Sequence, residues 1–172
     1  GGVTLIEMLN ILENFKLHDD TLATRRMIET MRRGFLDRLV YLGDPDFSEI
    51  PVSMLTDKAL ASKLAVWIDS AHNNAQIPAL AMKREPTETT HFSVIDKEGN
   101  CVSNTYTLED NFGSKAVVTG LGFLLNNEMH DFDIFPDNNL FPGHGKKPNL
   151  IEPDKRMLSS MTPVIMLKDG KP

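Results

Sequence analysis

Thr89, Thr90, Ser93, Thr105 and Thr107 fall on two β-type runs separated by a glycine turn, and Glu109, Glu128 and Asp131 follow just beyond them. A hydroxyl is nearly inert at neutral pH until a neighbouring base takes its proton. If the two runs pair as a hairpin, residues opposite one another lie within about 5 Å, so the hydroxyls can act together. Carboxylates grouped at loop positions past strand ends form a natural receptor for a substrate ammonium group. The same residue types also suit ordinary strands and solvated acids, and composition alone leaves both readings open.

Other chemistries have weaker support. His91 stands two residues before Ser93, on one face of a strand, but no nucleophile-elbow glycines surround that serine. Glu128, His130 and Asp131 invite a metal, yet structural zinc asks for recurrent Cys and His spacing that the chain lacks, so no metal site is expected. Cys101 sits in a strand-like run and is expected to be a small buried hydrophobe. Gly-rich phosphate loops are absent.

These groups must be positioned by a helical first half and a second half of strands and loops. Leu5, Met8, Leu9 and Leu12 recur at helical spacing, and Ile28, Met31, Phe35, Leu39 and Leu42 form a longer stripe closed by Gly43. A third helix is expected from a cap at Thr56 or Asp57 through Leu60, Leu64 and Ile68. The stripes are expected to be core faces. Gln76 to Glu88 loses periodicity and carries Pro78 and Pro86, as an exposed loop does. His91–Asp96 and Cys101–Leu108 then read as a hairpin about Lys97-Glu98-Gly99-Asn100. Gly122–Asn126 and Thr162–Leu167 read as further strands, the latter entering a turn at Lys168-Asp169-Gly170. Asp133 to Pro153 reads as a long loop.

The 172 residues are 41% hydrophobic, enough for a sizeable core, and their net charge of -6 disfavours phosphate-backbone binding and so a nucleic-acid partner. No apolar run reaches the length of a membrane span. A single cysteine forms no intrachain disulfide.

Several motifs, in order and at close spacing, resemble the γ-glutamyltransferase (γ-glutamyl transpeptidase) family. They are Thr89 to Asp96, Gly99-Asn100, Thr105 to Leu108, Phe112-Gly113, Gly122 to Met129, Asp131-Phe132 and Leu158 to Met161. Upstream, Leu9 to Phe15 and Tyr41-Leu42-Gly43-Asp44-Pro45-Asp46-Phe47 are similar to the family's large-subunit helices.

The resemblance implies an α+β fold, the four-layer αββα sandwich of the N-terminal-nucleophile hydrolases, here in part. It implies cleavage between Glu88 and Thr89, with 1–88 the C-terminal part of a large subunit and 89–172 the N-terminal part of a small one. Thr89 would be the nucleophile and its freed amine the base; Thr107 would orient the Thr89 hydroxyl. Glu109, Glu128 and Asp131 would hold the α-ammonium of glutathione or another γ-glutamyl donor, and Ser159 and Ser160 its α-carboxylate. Water, an amino acid or a peptide would accept the acyl group, with no metal or organic cofactor. Glu109 and Glu128 stand where some members carry Asn and Gln, which would strengthen the hold on a cation. The loop from Phe132 to Arg156 matches a lid in length, with Phe141 a candidate gate. The family's oxyanion-hole glycines and a carboxylate-binding arginine lie outside these residues. The chain is therefore expected to be an internal fragment, inactive by itself, of a parent that family members suggest is periplasmic, cell-surface or secreted. Rival readings are a γ-linked polyglutamate depolymerase, a cephalosporin (glutaryl) acylase, and a non-catalytic paralogue that acts as a binding partner.

Overall fold

The computed structural model describes residues 1–18, 21–70, 89–134 and 147–172. The chain divides into two units, Gly1–Leu80 with Phe132–Leu158, and Ala81–Asp131 with Ser159–Pro172. The expected lid residue Phe141 and the junction residue Glu88 lie outside the described residues.

The first unit is helical: α1 (Gly2–Leu12), α2 (Thr21–Tyr41), the short α3 (Val52–Leu55) and α4 (Lys58–Ser70). The third expected helix is α4, and Asp57 caps it as expected, its Oδ1 accepting the Ala59 N–H at 2.7 Å. Ile11 of α1 packs with Ala61, Ala65 and Ile68 of α4 in the core, flanked by Phe15 and Leu64. The core faces of α1 and α2, however, are not the large-residue stripes expected from the sequence. The residues buried on α1 are Thr4, Glu7 and Ile11, and those on α2 are Ala23, Thr30, Gly34, Leu36 and Asp37. Leu9, Ile28 and Met31 are exposed, although Leu42 is buried. At the contact a Cβ on Gly34 would stand 2.7 Å from Met8 Cγ and 3.3 Å from Thr4 Cγ2, so Met8 of the expected stripe and Thr4 pack over a residue without a side chain, while Leu9, Ile28 and Met31 face elsewhere.

That contact buries charge. Arg33 donates two bonds to Asp37, from Nε at 2.7 Å and Nη2 at 2.8 Å. Burial pushes the Glu7 carboxyl up to about 9, and its hydrogen bond to Asp37 and that residue's negative charge push the same way. Glu7 is thus a protonated donor to Asp37 at neutral pH, while its Oε1 has no hydrogen-bond partner.

In the second unit β1 (Thr90–Ile95) and β2 (Cys101–Tyr106) form the expected antiparallel hairpin, with Thr90 opposite Tyr106, His91 opposite Thr105 and Ser93 opposite Ser103. Its turn is tied by Asp96, whose carboxylate accepts from the backbone of Glu98 at 3.0 Å and of Asn100 at 2.9 Å. Those bonds and the Asn100 side chain hold the Asp96 pKa below its ordinary value, the side-chain bond most of all. Gly122–Asn126 and Thr162–Leu167, expected as strands, are not strands. One contains half of an isolated bridge, Val117 with Leu124, and the other leads into a bridge between Lys168 and Lys171 at the expected turn. A strand exists by pairing with a neighbour along its length, so apolar sequence suffices only where a partner ladder runs beside it. No described helix is long and apolar enough to cross a membrane.

Candidate active site

Strand alternation puts His91 and Ser93 of β1 on one face of the hairpin with Thr105 and Ser103 of β2, while Phe92 and Val94 face the other way. Thr89 and Thr107 flank the paired residues at the open end of the polar face, and the Thr89 hydroxyl donates to Thr107 Oγ1 at 3.1 Å. The same Thr107 oxygen accepts the Glu109 backbone N–H at 2.9 Å. The hairpin thus brings two threonines 18 residues apart into contact and ties them directly to the first carboxylate residue.

Glu109, Glu128 and Asp131 come together, with a carboxylate oxygen from each lying within 4.8 Å of the others. Glu128 and Asp131 open and close a single turn of 3-10 helix, Glu128–Asp131. Glu109 takes a left-handed backbone at φ 75°, which costs energy for a residue with a Cβ and is characteristic of functional sites. Burial raises the Glu128 pKa, and so do the charges of Asp131 and Glu109 and a hydrogen bond with Asp131. Three such carboxylates suit an ammonium group, which supplies both compensating charge and donors; as an all-oxygen set they could also hold a hard cation. His130 is not in this set: its Nδ1 lies 3.2 Å from Asn127 Nδ2 and 3.7 Å from Asp110.

Asn127 lies within the motif Gly122 to Met129, but the sequence assigned it no role. Its Oδ1 accepts the Asp110 N–H at 3.0 Å, its Nδ2 donates to the Asp110 carboxylate at 2.7 Å, and its N–H donates to Leu108 O at 3.1 Å. One side chain therefore staples the loop carrying Glu109 to the turn carrying Glu128. The available signal was the pair Asn126-Asn127 directly before the acid. Gly113 adds a second fastening, for a Cβ there would run into the Leu125 carbonyl, and its φ is +55°.

Ser159 and Ser160 lie in the final segment of the same unit. Ser159 Oγ accepts the Met161 N–H at 3.2 Å and Ser160 O accepts the Thr162 hydroxyl at 3.0 Å. His91 Nδ1 meets Thr105 Oγ1 at 2.8 Å, and its Nε2 is a long 3.4 Å from Ser93 Oγ, so the Ser93 triad has a poorly made nucleophile–base bond and, among the described contacts, a hydroxyl where a triad needs an acid. Cys101 is half-buried, its Sγ 3.5 Å from Gly99 O.

A family model described as gamma-glutamyltranspeptidase matches residues 1–172. The chain is 47% identical to a glutathione hydrolase proenzyme of Pseudomonas aeruginosa over 99% of its own length and 32% of that protein's. It is 42% identical to the glutathione hydrolase proenzyme of Escherichia coli, over 99% of its length and 31% of the relative's. It therefore spans about a third of the curated relatives it matches. Among solved structures, the cephalosporin acylase of Bacillus halodurans shares the fold at a TM-score of 0.66 and 25% identity, over 93% of this chain and 27% of that one. The α+β class expected from the sequence is thus that of the N-terminal-nucleophile hydrolases. The chain belongs to the gamma-glutamyltranspeptidase family.

Proposed function

We propose that the full-length protein is a self-processing γ-glutamyl hydrolase and transferase, and that Thr89 is its nucleophile. The observation that carries this reading is the 3.1 Å contact of Thr89 with Thr107, tied through the Glu109 backbone to the three carboxylates. The naming of its relatives as glutathione hydrolase proenzymes supports it. Thr89 Oγ attacks the Glu88 carbonyl carbon, its peptide C–N bond breaks, and water hydrolyses the resulting ester. This leaves a Glu88 carboxylate and a free Thr89 amine. Residues 1–88 then belong to a large subunit and 89–172 to a small one.

In the mature enzyme the amine takes the Thr89 hydroxyl proton as Oγ attacks the γ-carbonyl carbon of glutathione or another γ-glutamyl donor, then passes that proton to the departing amine. Glu109, Glu128 and Asp131 hold the donor's α-ammonium, and Ser159 and Ser160 its α-carboxylate. Water resolves the acyl-enzyme to glutamate; an amino acid or peptide amine resolves it to a new γ-glutamyl amide.

The relatives named as acylases, 34% identical in one Pseudomonas protein, support a second reading, a cephalosporin (glutaryl) acylase. A glutaryl group has no ammonium for the carboxylates, which argues for the γ-glutamyl donor. The test is intact mass and N-terminal sequencing of full-length wild type beside Thr89→Ala, followed by γ-glutamyl and glutaryl anilide assays. Two chains with a new Thr89 N-terminus in wild type alone, and turnover of the γ-glutamyl substrate, are expected. An uncut, correctly folded wild type would overturn the catalytic reading, and turnover of the glutaryl anilide alone would replace it with the acylase.

A further inference from the structure

We propose that Asn127 is a positioning residue for the donor's α-ammonium: it fixes the backbone around Glu109 and so sets that carboxylate against Glu128 and Asp131. The inference rests on the reading of these three carboxylates as the ammonium receptor. Asn127 is half-buried and carries no charge of its own. In the peptide before Glu109, the Leu108 carbonyl accepts the Asn127 N–H at 3.1 Å and the Glu109 N–H donates to Thr107 Oγ1 at 2.9 Å. In the peptide after it, the Asp110 N–H donates to Asn127 Oδ1 at 3.0 Å. Peptide planes held on both sides fix φ and ψ of the residue between them, since those are its only soft backbone dihedrals. Glu109 needs such holding, because its left-handed φ of 75° persists only where the surroundings over-determine it.

The amide fits its partners in one orientation. A backbone N–H only donates and an ionised carboxylate only accepts, so Oδ1 faces the Asp110 N–H and Nδ2 faces Asp110 Oδ2, at 2.7 Å. Asn127 also begins the turn that carries the other two acids. Its carbonyl accepts the His130 N–H at 3.1 Å, and the neighbouring Asn126 Oδ1 accepts the Glu128 N–H at 3.2 Å. One residue therefore joins the loop 108–110 to the turn 128–131 through side chain and main chain, all within the second unit. An ammonium group has three donors, and three carboxylates serve them together only while their oxygens converge. Here an oxygen from each lies within 4.8 Å of the others. The bond of Thr89 to Thr107 does not pass through Asn127, so loosening Asn127 should weaken the ammonium contact and leave the nucleophile in place.

The test uses two competitive inhibitors of γ-glutamyl anilide hydrolysis by the full-length enzyme: L-glutamate, and glutarate, the same diacid without the ammonium. In Asn127→Ala, KM for the anilide and Ki for glutamate should each rise about tenfold, the worth of one charge-assisted contact. The kcat and the glutarate Ki should change by less than about twofold, because neither depends on the ammonium contact. Asp110→Ala removes the acceptor of Asn127 Nδ2 and leaves the backbone bond. It should give a smaller shift of the same selectivity, and it serves if Asn127→Ala does not fold; Asp110→Asn, which keeps an acceptor there, should stay closer to wild type. Equal changes in the two inhibition constants, a fall in kcat alone, or no change in the variant that folds would overturn the proposal. Glu109→Gln with Glu128→Gln separates the layers. If wild type does not prefer glutamate to glutarate, or that pair keeps the preference, the ammonium reading itself has failed. If the pair loses the preference and the Asn127 and Asp110 variants keep it in full, the positioning role alone has failed.

Discussion

Thr107 Oγ1 stands 3.1 Å from the Thr89 hydroxyl and accepts the Glu109 N–H at the same time. That oxygen is fixed by backbone from one side, so it can set the direction of the Thr89 hydroxyl from the other. Thr107→Ala should slow processing and lower kcat by about 10- to 100-fold, the worth of one strong hydrogen bond. Thr107→Ser should restore most of both. The measurements are cleavage half-life by mass spectrometry and steady-state kinetics; an alanine variant with wild-type values would remove Thr107 from the machinery.

The raised Glu128 pKa bears on substrate binding. As pH falls, Glu128 takes a proton at a higher pH than its ordinary value of 4.5 would give, and the site loses negative charge that the donor ammonium needs. In a pH profile of kcat/KM, the acid limb should turn above that ordinary value. Glu128→Gln should lower kcat/KM at neutral pH by about tenfold, the loss of one charge-assisted contact, and remove the limb. An unchanged limb in the variant would assign it elsewhere.

Glu7 predicts a stability effect away from the site. Its folded pKa of about 9 lies above its ordinary 4.5, so its contribution is fully present below 4.5 and is lost as pH rises through 9. Wild-type Tm should therefore fall across that window, from this group alone, while Glu7→Gln should be flatter and more stable at its upper end. Parallel Tm curves for the two proteins would refute the buried protonated carboxyl.

Gly113→Ala should cost about 1–3 kcal/mol, because the new methyl meets backbone at a left-handed position and nothing flexible can yield. The same substitution at Gly99, also left-handed at φ +86° but with open space around it, should cost less. Thermal unfolding of the two variants side by side checks the ranking.

Much of the site was legible in local sequence. The period-two alternation of His91 to Asp96, the Gly99-Asn100 turn and the hydroxyls of β2 specify a hairpin by themselves, and a hairpin places opposite residues in contact. The cap at Asp57 and the helix after it were equally local. Apolar runs at 122–126 and 162–167 misled because pairing depends on a neighbour that sequence does not name. The stripes of α1 and α2 misled in part because the helices meet at Gly34, which seats Met8 of α1 and leaves Leu9, Ile28 and Met31 exposed. What residue types and spacing determined was the list of reactive groups and the hairpin that presents the threonines. Tertiary structure alone decided that Glu109, Glu128 and Asp131 share one locus, that Glu7 is protonated against Asp37, and that Asp44 grips the backbone at Arg156. Those contacts join segments distant in sequence, and their energies come from desolvation and hydrogen-bond geometry that exist only once the chain has closed on itself.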